Sequence, residues 1–246
     1  MCTVTCIPVP HGCGNKIYIT SNRDEKHWRS NALAPAVYAG TSGNLLFPKD
    51  GDAGGTWIAA HENGNAIVFL NGGFIRHSPQ PPYRKSRGLI LLDLLDTSEP
   101  VMAFKTQSLQ QIEPFTAIIW SAGQLFECRW DGNQKHTTRL SASTPHIWSS
   151  ATLYDAAVIE KRKNWFTKWL QQHPQPAPDE ILHFHQFTGD GDTHNDLRMN
   201  RNGQVFTVSV TLLTLTDEMT QMQYLDLKNN NAFTQHLTVE KSMAGR

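Results

Sequence analysis

The chain has no excess of charge of either sign: 22 Lys and Arg balance 22 Asp and Glu among 246 residues. A balanced surface argues against nucleic acid or an anionic membrane as the main partner, because both select a basic one. Long apolar runs are missing too. The longest, Ala66-Ile67-Val68-Phe69-Leu70, falls far short of the roughly 20 residues that cross a bilayer, so no membrane span is expected. The start, MCTVTCIPVPHGCGN, lacks the basic and apolar regions of a secretory signal. Cysteine is scarce. Cys2, Cys6, Cys13 and Cys128 put three of four thiols in the first thirteen residues, which is not a disulfide framework. These absences indicate a reduced, cytoplasmic setting. No internal repeat or domain-sized linker interrupts the chain, so 1–246 reads as one domain.

What is present suffices for a sizeable core, at 39% apolar residues. Residues 3–9 and 16–21 are rich in β-branched side chains and flank His11-Gly12-Cys13-Gly14-Asn15, a turn composition. A second hairpin, 57–61 with 65–70, turns at Glu62-Asn63-Gly64. Helical spacing follows over 87–96 and 99–112, then strands over 115–120, 125–130, 136–140 and 146–149. The strongest helix pattern is 154–173, with Ala157, Trp165 and Trp169 near one stripe. Asp179 is placed to cap a short helix ending at Phe187. Two strands, 204–215 and 219–227, close the chain. Paired helices between blocks of hairpin-linked strands make an α+β fold, compatible with a four-layer α/β/β/α sandwich. The pattern alone does not select that sandwich over other α+β folds.

A first hairpin centred on Gly12 and Cys13 pairs residues whose numbers sum to 25. Cys2 then lies opposite Arg23, beside Asn22 and Asp24, with Cys2, Val4, Cys6, Ile17 and Ile19 on one face. Aminopeptidases usually remove Met1 before a residue as small as cysteine. Cys2 would then carry a thiol and a free α-amine, whose pKa of roughly 7.7–8.0 makes it a base built into the nucleophile. Arg23 would favour the thiolate, and Asp24 could hold the amine. The alternative is an unprocessed chain in which Cys2 is a small core residue.

Met1-Cys2, Ser21-Asn22-Arg23-Asp24-Glu25 and Ala53-Gly54-Gly55-Thr56-Trp57-Ile58 together closely resemble the NRDE family, also called the transport and Golgi organisation protein 2 family. The resemblance is clear over the first half and looser over the second. It implies an N-terminal-nucleophile fold similar to penicillin V acylases and conjugated bile salt hydrolases, which cleave non-peptide amides with a terminal cysteine. Their Met-Cys-Thr start matches Met1-Cys2-Thr3, and their Arg-Asn-x-Asp turn matches Ser21-Asn22-Arg23-Asp24, with Ser21 in place of their arginine. Arg23 is positioned to substitute for it. Asn71 falls where they hold an active-site asparagine, although Asn71-Gly72-Gly73 also reads as a plain turn. Ser150 aligns with a second asparagine that donates to the oxyanion. Their late arginine has no clear counterpart, Arg201 being the nearest cation.

Other candidates have simpler explanations. Gly54-Gly55-Thr56 lacks the lysine of a phosphate loop and reads as a turn. His183, His185, Asp190, Asp192 and His194 could ligate a metal, but alternate helix residues do not face the same way. Trp165 and Trp169 read as core, and Cys6 and Cys13 as buried or turn cysteines rather than haem or metal ligands.

Two functions remain open. One is a cysteine amidohydrolase or acyltransferase-like enzyme acting on a small-molecule amide or acyl donor, with no cofactor required. Cys2 is its nucleophile, Asn22 and Asp24 orient, Arg23 assists electrostatically, and Asn71 and Ser150 serve the oxyanion. The other is a non-catalytic carrier of haem or a lipid, in keeping with the haem trafficking and lipid metabolism linked to family members.

Overall fold

The computed structural model describes residues 3–12 and 14–240. Met1, Cys2 and Cys13 lie outside the described residues. β1 (Thr3–His11) and β2 (Gly14–Lys26) form the first hairpin, followed by β3 (Leu33–Ala39), β4 (Asn44–Lys49), β5 (Ile58–His61) and β6 (Ala66–Asn71). Helices α1 (Arg87–Leu95) and α2 (Pro100–Thr106) precede β7 (Phe115–Ser121), β8 (Gln124–Trp130), β9 (Lys135–Leu140) and β10 (His146–Ser149). Then come α3 (Ala156–Gln172), α4 (Pro178–Phe187), β11 (Asn200–Arg201), β12 (Val205–Leu215), β13 (Met219–Asp226) and β14 (Asn231–Thr238).

Among the described residues the strands make two antiparallel seven-stranded sheets. The first runs β10-β1-β2-β12-β13-β14, with β11 on β12; the second runs β3 to β9 in chain order. The helices α1 and α2 pack on the second sheet, and α3 and α4 on the first. This is the four-layer α/β/β/α sandwich. One core fills the space between the sheets and under α1 and α2, including Val4, Ile19, Leu46, Ile58, Leu91 and Leu213. The other lies between the first sheet and α3/α4, around Ile7, Tyr18, Phe166, Phe184, Val210 and Leu212. β12 serves both, so its burial is almost unbroken along the strand.

The first hairpin has the expected register: Thr3 pairs with Asn22, Val4 with Ser21 and Cys6 with Ile19. Val4, Cys6, Ile17 and Ile19 share the inter-sheet core as the alternation requires. Several expectations need correction. β3, β4 and β14 went unforeseen: β4 is a short buried run, Leu45-Leu46-Phe47, closed by Pro48, and the other two have weak patterns. Pro35 interrupts β3, an edge strand that tolerates a proline, and the register shifts beside it. β14 is an exposed edge with no apolar alternation. Helix α2 stops at Thr106, and Gln111 takes a positive φ of 58°. Leu109 and Ile112 reach the core from a turn rather than a helix. Asp179 is not the α4 cap: Glu180 reaches back to the Ala177 N–H at 2.8 Å. On α3, Ala157 is exposed, and the buried residues are Arg162 and Phe166.

Candidate active site

Alternation along β2 sends neighbouring members of Ser21-Asn22-Arg23-Asp24-Glu25 to opposite faces. Asn22 and Asp24 point toward α3 and α4. The Asn22 amide donates to the carbonyls of His185 (3.0 Å) and Leu197 (2.8 Å), and its oxygen accepts from His185 Nδ1. An amide oxygen can only accept, so that His185 nitrogen carries the proton, and Nε2 accepts from Thr5 Oγ1 at 2.8 Å. Burial, aided by the nearby Arg162 charge, lowers the His185 pKa to about 3 and keeps the ring neutral. Asp24 accepts from Tyr154 Oη at 3.0 Å and Thr207 Oγ1 at 2.6 Å. A bulge at Val208 lets Thr207 meet Asp24 on this face while Ser209 pairs with Arg23 on the other. Arg162, fully buried, donates to Thr3 Oγ1 and to the carbonyls of Asn195 and Asp196. Its guanidinium also stacks 3.6 Å from the Tyr154 ring centre.

Arg23 faces the other way, into a cleft of about 770 Å³ between the sheets and the start of α1. Its guanidinium lies 4.5 Å from the Trp57 ring centre, 2.5 Å from Asp50 and 3.4 Å from Glu25. Arg29 continues the chain of charges to Asp50 at 2.9 Å and Asp52 at 3.8 Å. Burial acts to raise the Asp50 pKa, but Arg29, the Ala53 N–H and the Arg23 charge outweigh it and hold the carboxyl below its usual range. Asp50 also accepts from the Asp52 and Ala53 N–H groups, closing the turn before the double glycine. Sequence reasoning missed it, although a carboxylate opening an Asp-Gly turn was a visible signal.

The double glycine has a packing reason. Gly54 has φ +69°, and a Cβ on Gly55 would collide with the Gly88 backbone. The strand–turn segment thus lies directly on the N-terminus of α1, where Thr56 N–H donates to Gly88 O. It is a turn, as its composition implied, and it brings Trp57 beside Arg23. Two motifs well separated in the sequence become two walls of one cleft.

Asn71 lines the same cleft at the end of β6, and its side chain makes no hydrogen bond to another described residue. Its main-chain oxygen accepts from Ser150 Oγ at 2.9 Å. Ser150, fully buried, also touches Thr152 Oγ1 at 2.9 Å. Because Ser149 pairs with Thr3, Ser150 stands beside the start of β1. The turn reading of Gly72-Gly73 holds as well: Gly72 has φ +87°. Arg201 points elsewhere, donating to Leu153 O at 2.9 Å.

No group of three potential metal ligands occurs among the described residues. Of the histidine–aspartate candidates, His185 is committed to Asn22 and Thr5, and Asp190 pairs with Lys161 at 2.8 Å. Trp169 packs in the helix-layer core against Phe166 and Phe184, with Trp165 alongside. Ser42, His61 and Asp96 imitate a catalytic triad without its chemistry. His61 Nδ1 accepts from the Asn63 N–H, so Nε2 holds the proton and cannot take one from Ser42. Cys6 and Cys128 are buried, and burial pushes both thiols up to about 12.

Solved structures share this fold. An N-acylethanolamine-hydrolyzing acid amidase ortholog from Caenorhabditis elegans superposes with a TM-score of 0.59 at 13% identity, covering 86% of this chain and 92% of its own. Two point variants of the conjugated bile acid hydrolase from Clostridium perfringens are also similar. An arginine-to-leucine variant gives 0.60 at 12% identity, and a cysteine-to-alanine mutant gives 0.57 at 10%. Each of these two covers 98% of this chain and 97% of its own. Such identities establish the N-terminal-nucleophile hydrolase fold and no more. Among curated proteins none matches. The sequence profile of Transport and Golgi organisation 2 matches residues 1–223, and the chain belongs to that family.

Proposed function

We propose that the protein is a cysteine N-terminal-nucleophile hydrolase, or an acyltransferase of the same chemistry, acting on a non-peptide amide. The observation that carries this reading is the cleft, whose lining takes Arg23 from one sheet and Asn71 from the other. The reading takes Cys2 to continue the β1 register opposite Arg23, with Met1 removed. The Cys2 thiol attacks the amide carbonyl as the α-amine accepts its proton. Asn71 donates to the developing oxyanion, which Arg23 also favours electrostatically. The C–N bond then breaks, the ammonium returns the proton to the leaving amine, and water or another acceptor cleaves the thioester. Asp24, held by Tyr154 and Thr207, would orient the amine. Asn22 contributes by holding β2 to His185 and Leu197.

Intact mass of the native protein, before and after a small methanethiolsulfonate, tests the reading. The expected result is loss of the Met1 mass and, in protein carrying Cys13→Ser, labelling at Cys2, because the remaining thiols of Cys6 and Cys128 are buried and pushed up to about 12. Met1 retained in the mature protein overturns it.

A carrier role has one observation in its favour: Ser150 Oγ already donates to Asn71 O and is not free to serve an oxyanion. For haem the cleft is poorly furnished. Among its described lining residues, only Tyr83 is of the His, Cys, Met or Tyr kinds that ligate haem iron. A lipid or acyl ligand suits the carrier reading better.

A further inference from the structure

A strand at the end of a sheet presents unpaired main-chain N–H and C=O groups, and folded proteins blunt such edges with charge, proline, bulges, short length or a covering helix. Of the four strands that end the two sheets, three are blunted. β3 carries Pro35 and a register shift, β9 carries Lys135 and Arg139, and β10 has only four residues with α3 packed beside it. β14 has none of these devices. Its eight residues, Asn231 to Thr238, include no proline, lysine, arginine, aspartate or glutamate, and they pair with β13 without a shift. Seven of the eight are exposed, so nothing among the described residues covers the strand. Apolar surface gathers around the same edge. Leu33 and Val37 on β3, Met219 on β13 and Phe233 on β14 are all exposed, on strands that pack against one another.

We propose that β14 is a self-association edge, at which two copies pair antiparallel about a twofold axis and join their first sheets into one. A twofold perpendicular to the sheet keeps each face on its own side, so a residue meets one an even number of places along the strand. With Gln235 on the axis, Phe233 lies opposite the partner's Leu237, and Thr234 opposite the partner's His236. Leu237 is buried in the inter-sheet core, and Phe233 stands beside Tyr224 of that core. This register therefore continues the apolar face across the axis. The ends agree in charge. Lys228, in the β13–β14 turn, comes beside the partner's Glu240 just past the far end of the ladder. Both are exposed, with no ion pair of their own among the described residues. A second copy fits because a twofold ladder sets like groups near the axis against each other, and β14 carries no charge there to repel itself. No β14 residue lines the 770 Å³ cleft, so this inference stands apart from the hydrolase reading.

Sedimentation velocity of the full-length protein across a dilution series tests the proposal. The expected result is a monomer–dimer equilibrium. Gln235→Lys, at an exposed position, sets two ammonium groups against each other on the axis and should weaken the dimer about tenfold or more, with far-UV circular dichroism unchanged. Lys228→Glu should weaken it about threefold, and adding Glu240→Lys should restore it, which parallel pairing would not allow. Should Gln235→Lys fail to fold, the charge exchange decides alone. A monomer at every concentration leaves this edge to a different partner and overturns the proposal. So does a dimer that folded Gln235→Lys leaves intact, because its interface must lie elsewhere.

Discussion

On the cleft face of β2, Arg23 belongs to a run of alternating charges with Asp50, Arg29 and Asp52, open to solvent at its outer end. On the helix face, Asn22, Asp24, Arg162 and His185 are buried, and their hydrogen-bond partners among the described residues are neutral carbonyls, hydroxyls and amides. The two faces solve different problems. Charges near water, as Arg29 and Asp52 are at the outer end, can be paired loosely at little cost, whereas a charge sealed in the interior, Arg162 behind the sheet or Arg23 at the inner end of the run, must have its bonds supplied or it destabilises the fold. The helix face is thus the one that anchors the first strand, and the cleft face the one with groups to spare for a ligand.

Three measurements sharpen or break this comparison. The largest effect is expected for Arg162→Met, which leaves Thr3 Oγ1 and two backbone carbonyls without their donor. A loss of about 3 kcal/mol is expected by chemical denaturation. A stabilised variant would mean that burying the charge costs more than its bonds return, and that the helix face is no anchor.

Next comes acid. In the folded protein His185 has a pKa of about 3, and in the unfolded chain a value near ~6.5. Between these values the unfolded state binds the extra proton, so stability is full above 6.5 and falls as pH drops toward 3. In His185→Gln that contribution disappears, so the stability gap between the two proteins should narrow steadily across the window. A constant gap in thermal melts from about pH 7 to about pH 4 would show that His185 titrates normally.

The smallest effect belongs to Asp52→Asn on the cleft rim. Asp52 is 43% exposed and 3.8 Å from Arg29, so less than about 0.5 kcal/mol is expected. A larger loss would mean that the charges of the cleft are as tightly integrated as those behind it.

Much of this molecule is readable without a structure. The period-two pattern of 3–21 specified the first hairpin and its register, because one slipped residue would have turned Val4, Cys6, Ile17 and Ile19 out of the core. The three motifs were enough for the family, and paired helices between hairpin blocks for a layered α+β fold. Edge strands β3 and β14 escaped, since a strand with one exposed side needs little apolar pattern. Asn22, Arg23 and Asp24 were legible as a cluster, but not as a divided one. Alternation says that neighbours part, while the identity of each face depends on what packs there. Asp50, Arg162, Tyr154 and His185 meet that cluster only through distant elements, and no local spacing announces such contacts. Local pattern determined the strand register and the motifs. Packing of the sheets and helices decided which of those residues face the cleft, because burial and partner choice are properties of the assembled layers.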